Sequence, residues 1–235
     1  MKPTQNTILL TGGSTGIGFT MAKYLLEKGN TVVICGRRED RLKQAKEALP
    51  CVHIFTCDVA NHADREALFK HMKTNFPSMN VLINNAGVQR DIDLTQGMRD
   101  LSGNECEIKI NFEAPIYLSA LFTPLIAKND QPAIINVSSG LAFMAERAIG
   151  MPVYCATKAA LHAFSLAQRK QLAPMGIKVI EIIPPMVESE LNIEGRRKRN
   201  MQNSPHMMSS EDFVNVAMSR LEAGEEEIRI VKQTV

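Results

Sequence analysis

The sequence predicts an α/β fold: a doubly wound parallel sheet of about seven strands, with helices on both faces. Three observations lead there. Short β-branched or aliphatic runs alternate with longer segments of helical period; a glycine-rich turn follows the first run at once; and the 235 residues fit a single domain. A chain of this length buries roughly 70 to 75% of the surface its unfolded form exposes, so its core needs no disulfide or structural metal.

The strand-like runs are Ile8 to Leu10, Val32 to Cys35, Val52 to Thr56, Val81 to Ile83, Ile134 to Val137 and Val179 to Ile183, with a last strand over Glu227 to Val231. Between them, Ile17 to Lys28 places Ile17, Met21, Ala22 and Leu25 on one helical face, and Glu39 to Leu49 does the same with Leu42, Ala45 and Leu49. Strand then helix, repeated, gives parallel strands joined by right-handed crossovers. The segments Glu105 to Ala127 and Val153 to Ala173 are apolar on more than one face, as helices packed against something on each side are. From Glu188 to Ser210 the rhythm breaks. This stretch is polar, holds Gly195 and Pro205, and carries Arg196, Arg197, Lys198 and Arg199. Beside a ligand crevice such an insertion reads as a substrate lid over 188–210; the alternative is a solvated segment whose charges only face water.

Charge and composition exclude several classes of function. A net charge of +2 is too mild for the dense basic face that nucleic acid or a membrane surface requires. No apolar run approaches the ~20 residues of a membrane span, and the first ten residues lack the pattern of a signal peptide. The five cysteines are odd in number and lack paired ligand spacing, which fits reduced thiols in a soluble, cytoplasmic protein. The five histidines have no ligand spacing either, so no metal is expected. His162, eight residues after Tyr154, lies on the same predicted helix as a packed histidine or one near the site or an interface.

The first strand runs directly into Thr11, Gly12, Gly13, Ser14, Thr15, Gly16, Ile17 and Gly18, and then into a helix. Glycines at such a turn let the backbone approach a pyrophosphate, and the helix start offers unpaired N–H groups and a positive dipole end. This reads as a Rossmann-type dinucleotide site; the alternative is a glycine turn that serves only tight packing. The second strand ends in Cys35, Gly36, Arg37 and Arg38. An acidic residue there would accept the ribose hydroxyls of NAD, whereas Gly36 leaves room for a 2′-phosphate and Arg37 and Arg38 supply donors, which favours NADP(H) over NAD(H). The arginines could instead be surface residues beside Glu39 and Asp40. Asp58, followed by Val59, either accepts from an adenine amino group or caps the next helix.

Tyr154 and Lys158 lie one turn apart on one helix face and can serve one reacting centre. A free tyrosine has a pKa near ~10, and a neighbouring cation favours its phenolate, so Lys158 suits a Tyr154 that gives or takes a proton at a carbonyl or alcohol oxygen. A hydroxyl at the end of the fifth strand, Ser138 or Ser139, would hold that oxygen.

Together, the spaced glycines Gly12, Gly16 and Gly18, then Asp58, then Asn84 to Gly87, then Asn111, Ser138 and Ser139, and finally Tyr154 and Lys158, resemble the short-chain dehydrogenase/reductase family. The resemblance covers nearly the whole chain, in the family's order. It implies an oxidoreductase that moves hydride between NADP(H) and a small carbonyl or secondary alcohol. Asn85, Ala86 and Gly87 would border the cofactor, Ser139 would be the oxyanion hydroxyl, Lys158 would bond the nicotinamide ribose, and Asn111 would bend its helix and relay protons through water; the alternative for Asn111 is a helix asparagine facing solvent. It also implies a homodimer or homotetramer through the two apolar helices. Two departures stand out. The fifteen positions from Ser139 to Tyr154 exceed the family's usual spacing, which bears on pocket shape, and Pro184 and Pro185 replace the usual Pro-Gly. Two prolines make that turn stiff, leaving Pro184, the Val187 backbone and the Ser189 hydroxyl to meet the nicotinamide. The double proline and VYCATKAA at Val153 to Ala160 resemble a bacterial subgroup named after teichoic-acid D-alanylation operons, from which no substrate follows. The substrate pocket would come from Gln89 to Leu94, Leu141 to Val153 and Glu188 to Pro205. Its arginines suit an anion, whereas Met144, Met151, Met186 and Met201 suit an apolar molecule. The rival function is a non-catalytic dinucleotide sensor of the same fold, which would have no need of Asn111, Ser139, Tyr154 and Lys158 together.

Overall fold

The computed structural model describes residues 3–98, 101, 106–147, 149–198, 204 and 207–231. The expectations placed on Glu105, Arg199, Met201, Pro205 and His206 fall outside them. The chain runs β1 (Thr7–Thr11), α1 (Gly16–Glu27), β2 (Thr31–Gly36), α2 (Glu39–Ala48), β3 (His53–Thr56), α3 (His62–Asn75), β4 (Val81–Asn84), α4 (Ala114–Ile126), β5 (Ala133–Val137), α5 (Pro152–Leu172), β6 (Lys178–Ile183), α6 (Ile193–Lys198), α7 (Ser210–Glu222) and β7 (Glu227–Arg229). The seven strands form one sheet in the order β3-β2-β1-β4-β5-β6-β7, with every neighbouring pair parallel. This is the doubly wound architecture expected from the alternation of strand and helix.

Alternation along each strand explains both layers. Ile8 and Leu10 of β1, Ile34 of β2, Ile83 of β4 and Ile135 of β5 face α1, α2 and α7, where they meet Met21, Leu25, Leu42, Phe213 and Met218. Leu9, Val33, Leu82 and Ile134 point the other way, onto Leu68 and Met72 of α3 and Leu118 and Phe122 of α4. Parallel strands covered on both faces must be largely apolar on both, so β1, β4 and β5 are mostly aliphatic, with Asn84 and Asn136 the polar exceptions in β4 and β5. On the outer surfaces of α4 and α5, Tyr117 and Leu166 remain exposed, as does Ile108 just before α4. Among the described residues no helix is long and apolar enough to cross a membrane. All five cysteines are free thiols.

Two predicted strands shorten, while the others gain a residue at one or both ends. β3 begins at His53 rather than Val52, and β7 closes at Arg229, two residues before Val231. The segment before α4 is a wide helical turn over Lys109–Glu113, with Asn111 inside it.

Candidate active site

The carboxyl ends of the strands open onto one cavity of about 660 Å³. It lies where β1 has β2 on one side and β4 on the other, the point at which connections leave in opposite directions and a crevice forms.

At one end is the turn between β1 and α1. Gly12 and Gly16 have φ of +67° and +54°, values an L side chain adopts only with strain. Thr15 precedes α1 without a side-chain cap, so the first N–H groups of that helix are left to whatever occupies the cavity. The turn is held from behind. Thr11 Oγ1 accepts from the backbone N–H groups of Asn85 and Ala86 at 3.0 and 2.9 Å, and Asn85 Nδ2 donates to the carbonyl oxygens of Thr11 and Gly12. Asn85 therefore ties the end of β4 to the glycine turn; Asn85, Ala86 and Thr11 act as one brace.

Arg37 and Arg38 border the cavity at the end of β2. Arg38 does not pair with its sequence neighbours: its guanidinium reaches Glu190 at 3.4 Å, as does Arg41 at 3.5 Å, while Glu39 pairs with Lys43. Asp58 accepts from Ala60 N at 3.0 Å, closing a local turn. The helix-capping alternative for Asp58 is corrected here, because the cap of α3 is Asn61, which accepts from Ala63 and Asp64.

At the other end stand Ser139, Tyr154 and Lys158. Pro152 opens α5, where its fixed φ suits the first turn and its missing N–H costs nothing. Tyr154 and Lys158 follow on the inward face, 5% and 4% exposed. Ser139 Oγ accepts from Leu141 N at 3.2 Å, and its hydroxyl borders the cavity beside Tyr154. Lys158 Nζ donates to Val137 O at 2.9 Å and lies 5.8 Å from the Tyr154 ring centre. Burial dominates both groups. The Tyr154 phenol is pushed up to about 12 by loss of water, opposed by the Ser139 hydroxyl beside it, and Lys158 is brought down to about 8 by the same desolvation, opposed by the Glu181 carboxylate. The expectation that Lys158 draws Tyr154 toward phenolate is not what this geometry gives, because the cost of burying the phenolate outweighs a cation held toward a backbone carbonyl.

Asn111 is wholly buried behind this wall and does not face solvent. Its amide is clamped to the Val88 backbone, accepting from N and donating to O at 2.8 Å each, with a further contact of 3.2 Å to Thr157 Oγ1. A Cβ on Gly87 would stand 3.4 Å from Asn111 Oδ1 and 3.6 Å from Lys158 Nζ, which places both beside that glycine.

Pro184, Val187 and Ser189 border the cavity after β6. Val187 bridges to Met208, Glu188 N donates to Met208 O at 2.9 Å, and Ser189 Oγ accepts from Leu191 N. Arg196 of α6 donates to the carbonyl oxygens of Val187 and Ser189. Leu141, Met144, Met151, Leu191 and Ile193 complete the end near Tyr154. Sequence reasoning missed Glu190, which pairs with arginines some 150 positions away and has no local signal, and the Asn192 to Asp91 contact of 3.0 Å that ties the α6 segment to the loop after β4.

The sheet, the glycine turn and the residues gathered at Tyr154 define an oxidoreductase class, and comparison with known proteins agrees: the short chain dehydrogenase family matches residues 6–200, and the chain belongs to that family. It is 49% identical to the uncharacterized oxidoreductase DltE of Bacillus subtilis (strain 168) over 228 residues, 97% of this chain and 89% of that protein. Among solved structures, a short-chain dehydrogenase from Sphingobium yanoikuyae in complex with NADPH superposes with a TM-score of 0.83 at 27% identity, covering 95% of this chain and 87% of that one. A short chain dehydrogenase/reductase from Burkholderia phymatum in complex with NAD reaches a TM-score of 0.85 at 18% identity, covering 97% and 90%, a likeness of fold alone.

Proposed function

We propose that the protein is an NADP(H)-dependent reductase of small carbonyl compounds, working reversibly on the corresponding secondary alcohols. One observation carries this reading: Ser139, Tyr154 and Lys158, backed by Asn111, sit at one end of a cavity whose other end is the uncapped start of α1. The cofactor, when bound, supplies or accepts the hydride. The chain's own residues do the rest. The Ser139 and Tyr154 hydroxyls, side by side at that end, each offer one donor to a carbonyl oxygen. A phenol pushed up to about 12 stays protonated at neutral pH, so the resting site is set to donate, the reductive direction. Lys158 replaces the proton through the space beside Gly87, with Asn111 holding the turn that shapes it. The apolar lining from Leu141 to Ile193 supports an apolar substrate body, since Arg196 is engaged with backbone carbonyls. The α6 segment and its anchors at Met208 and Asp91 support a substrate lid over 188–210.

Gly36, Arg37 and Arg38 at the end of β2 support NADP(H). Arg37→Ala is expected to weaken NADPH by roughly 1.5 to 3 kcal/mol, the worth of a charged hydrogen bond, and to leave NADH unchanged. Equilibrium titration with both cofactors decides this, and equal weakening would contradict the assignment. The same cuvette, given a panel of aldehydes and ketones, tests turnover; tight binding without turnover would favour the sensor.

The pH profile has a defined sign. Lys158, lowered to about 8, is protonated below that pH and neutral above it, whereas Tyr154 does not titrate in the accessible range. The rate of carbonyl reduction should therefore fall as pH rises through about 8. In Lys158→Arg, whose charge cannot be lost, the rate is lower but this limb is absent. A limb unchanged by the substitution belongs to another group.

A further inference from the structure

The register of the sheet lays a polar row beneath α5. Asn84 pairs with Asn136, Asn136 with Glu181, and Glu181 with Glu227, and register partners on neighbouring strands project to one face. In the inner half of the row both amide nitrogens are paired, and Asn84 Oδ1 alone lacks a donor. Asn84 Nδ2 donates to Asn136 Oδ1 at 2.9 Å, and Asn136 Nδ2 donates to Ser165 Oγ and Gln168 Oε1. The outer half leaves a charged oxygen without a donor. Glu181 is wholly buried; one carboxylate oxygen meets His162 Nδ1 at 2.7 Å, while the other, Oε1, has no hydrogen-bond donor. Its register partner toward the sheet edge is a second carboxylate, Glu227.

Like charges directly opposite on neighbouring strands repel, and a buried carboxylate oxygen without a donor is costly. The cations nearby are directed elsewhere. Lys158 Nζ donates to Val137 O, Arg169 to Val179 O and Glu226, and the Arg229 guanidinium lies 4.7 Å over the Phe143 ring. Meanwhile one ligand atom each from His162, Glu181 and Glu227 lies within 4.8 Å of the others.

We propose that His162, Glu181 and Glu227 form a binding site for a divalent transition-metal cation, Zn²⁺ by class, at the β7 edge of the sheet. One imidazole nitrogen with two carboxylates is a donor set zinc accepts, whereas Mg²⁺ and Ca²⁺ prefer oxygen alone. Metal–ligand distances near ~2.0–2.2 Å require the three atoms to draw together. Glu227, exposed at the edge, can rotate to do so, while β6 holds Glu181 in place. The His162 side chain, 22% exposed, leaves a path from solvent. The set was hidden in the sequence because its members come from α5, β6 and β7. None of the three borders the catalytic cavity. The His162 ring instead packs edge-on against Phe143 at 4.7 Å, in the turn just after Ser139. Bound there, the ion ties α5, β6 and β7 together and braces that turn, a structural role.

The test is calorimetric titration of the full chain, stripped by a chelator, with Zn²⁺ alone near neutral pH. One equivalent should bind and raise Tm. Glu227→Gln and His162→Gln, substitutions at partly or fully exposed positions that keep the fold, should each weaken binding by about tenfold or more, since losing even an outer-shell partner costs that much. Co²⁺ substituted for Zn²⁺ should show no thiolate charge-transfer band, separating this site from the cysteines. No stoichiometric binding, affinity unchanged in both variants, or a thiolate band would each overturn the proposal.

Discussion

Tyr154→Phe should lower turnover by about 10²- to 10⁴-fold, the usual worth of a positioned proton donor, while cofactor affinity stays unchanged. The ring is 5% exposed and packed, so phenylalanine keeps its volume and removes only the hydroxyl. Because the phenol is held up to about 12, it is the donor that is lost, not a phenolate, and reduction should suffer at every pH below that value. Single-turnover measurement with preloaded cofactor isolates the effect from binding. Undiminished reduction would rule out the assigned mechanism.

Gly18→Ala should be the most damaging added methyl among the described glycines. Gly18 is buried in the first turn of α1, and a Cβ there would collide with the Gly12 carbonyl oxygen and approach Asn85 Nδ2 to 2.6 Å. Neither is the far end of a flexible chain: one is backbone, and the other is the amide that ties β4 to the glycine turn. Overpacking of this kind costs about 1–3 kcal/mol, and here at least the upper half of that range is expected, because the helix must lift away from the end of β1. For a chain of this size that is a fall in Tm of roughly 5–10 °C. Cofactor affinity should drop with it, since the lifted helix no longer aims its N–H groups into the cavity. Thermal unfolding and NADPH titration of the variant read the two effects separately. A variant as stable as the parent would mean that α1 does not pack as closely as described.

The contrast between Tyr154 with Lys158 and Arg38 with Glu190 marks how far the sequence alone could be read. A spacing of four on a helix is a local property, so the placement of Tyr154 and Lys158 on one inward face was legible without coordinates. The glycine turn was legible for the same reason, its strand and helix being immediate neighbours in the chain. Arg38 was not. Its nearest acids in sequence, Glu39 and Asp40, lie within α2, and Glu39 is turned to Lys43, whereas its partner arrives from the segment after β6. Asn111 was found through its resemblance to a family pattern, but its clamp on the Val88 backbone depends on the wide turn over Lys109–Glu113, which no periodicity announced.

The sequence by itself determined the order of strands and helices, the parallel sheet, the turn that opens α1 and the helix that carries the tyrosine and lysine, because each depends on residues a few positions apart. Tertiary structure alone decided the burial of that pair, the pairing of Arg38 with Glu190, and the meeting of His162, Glu181 and Glu227. Burial and register bring distant residues together and remove the water between them, and neither has a signature that can be read along the chain.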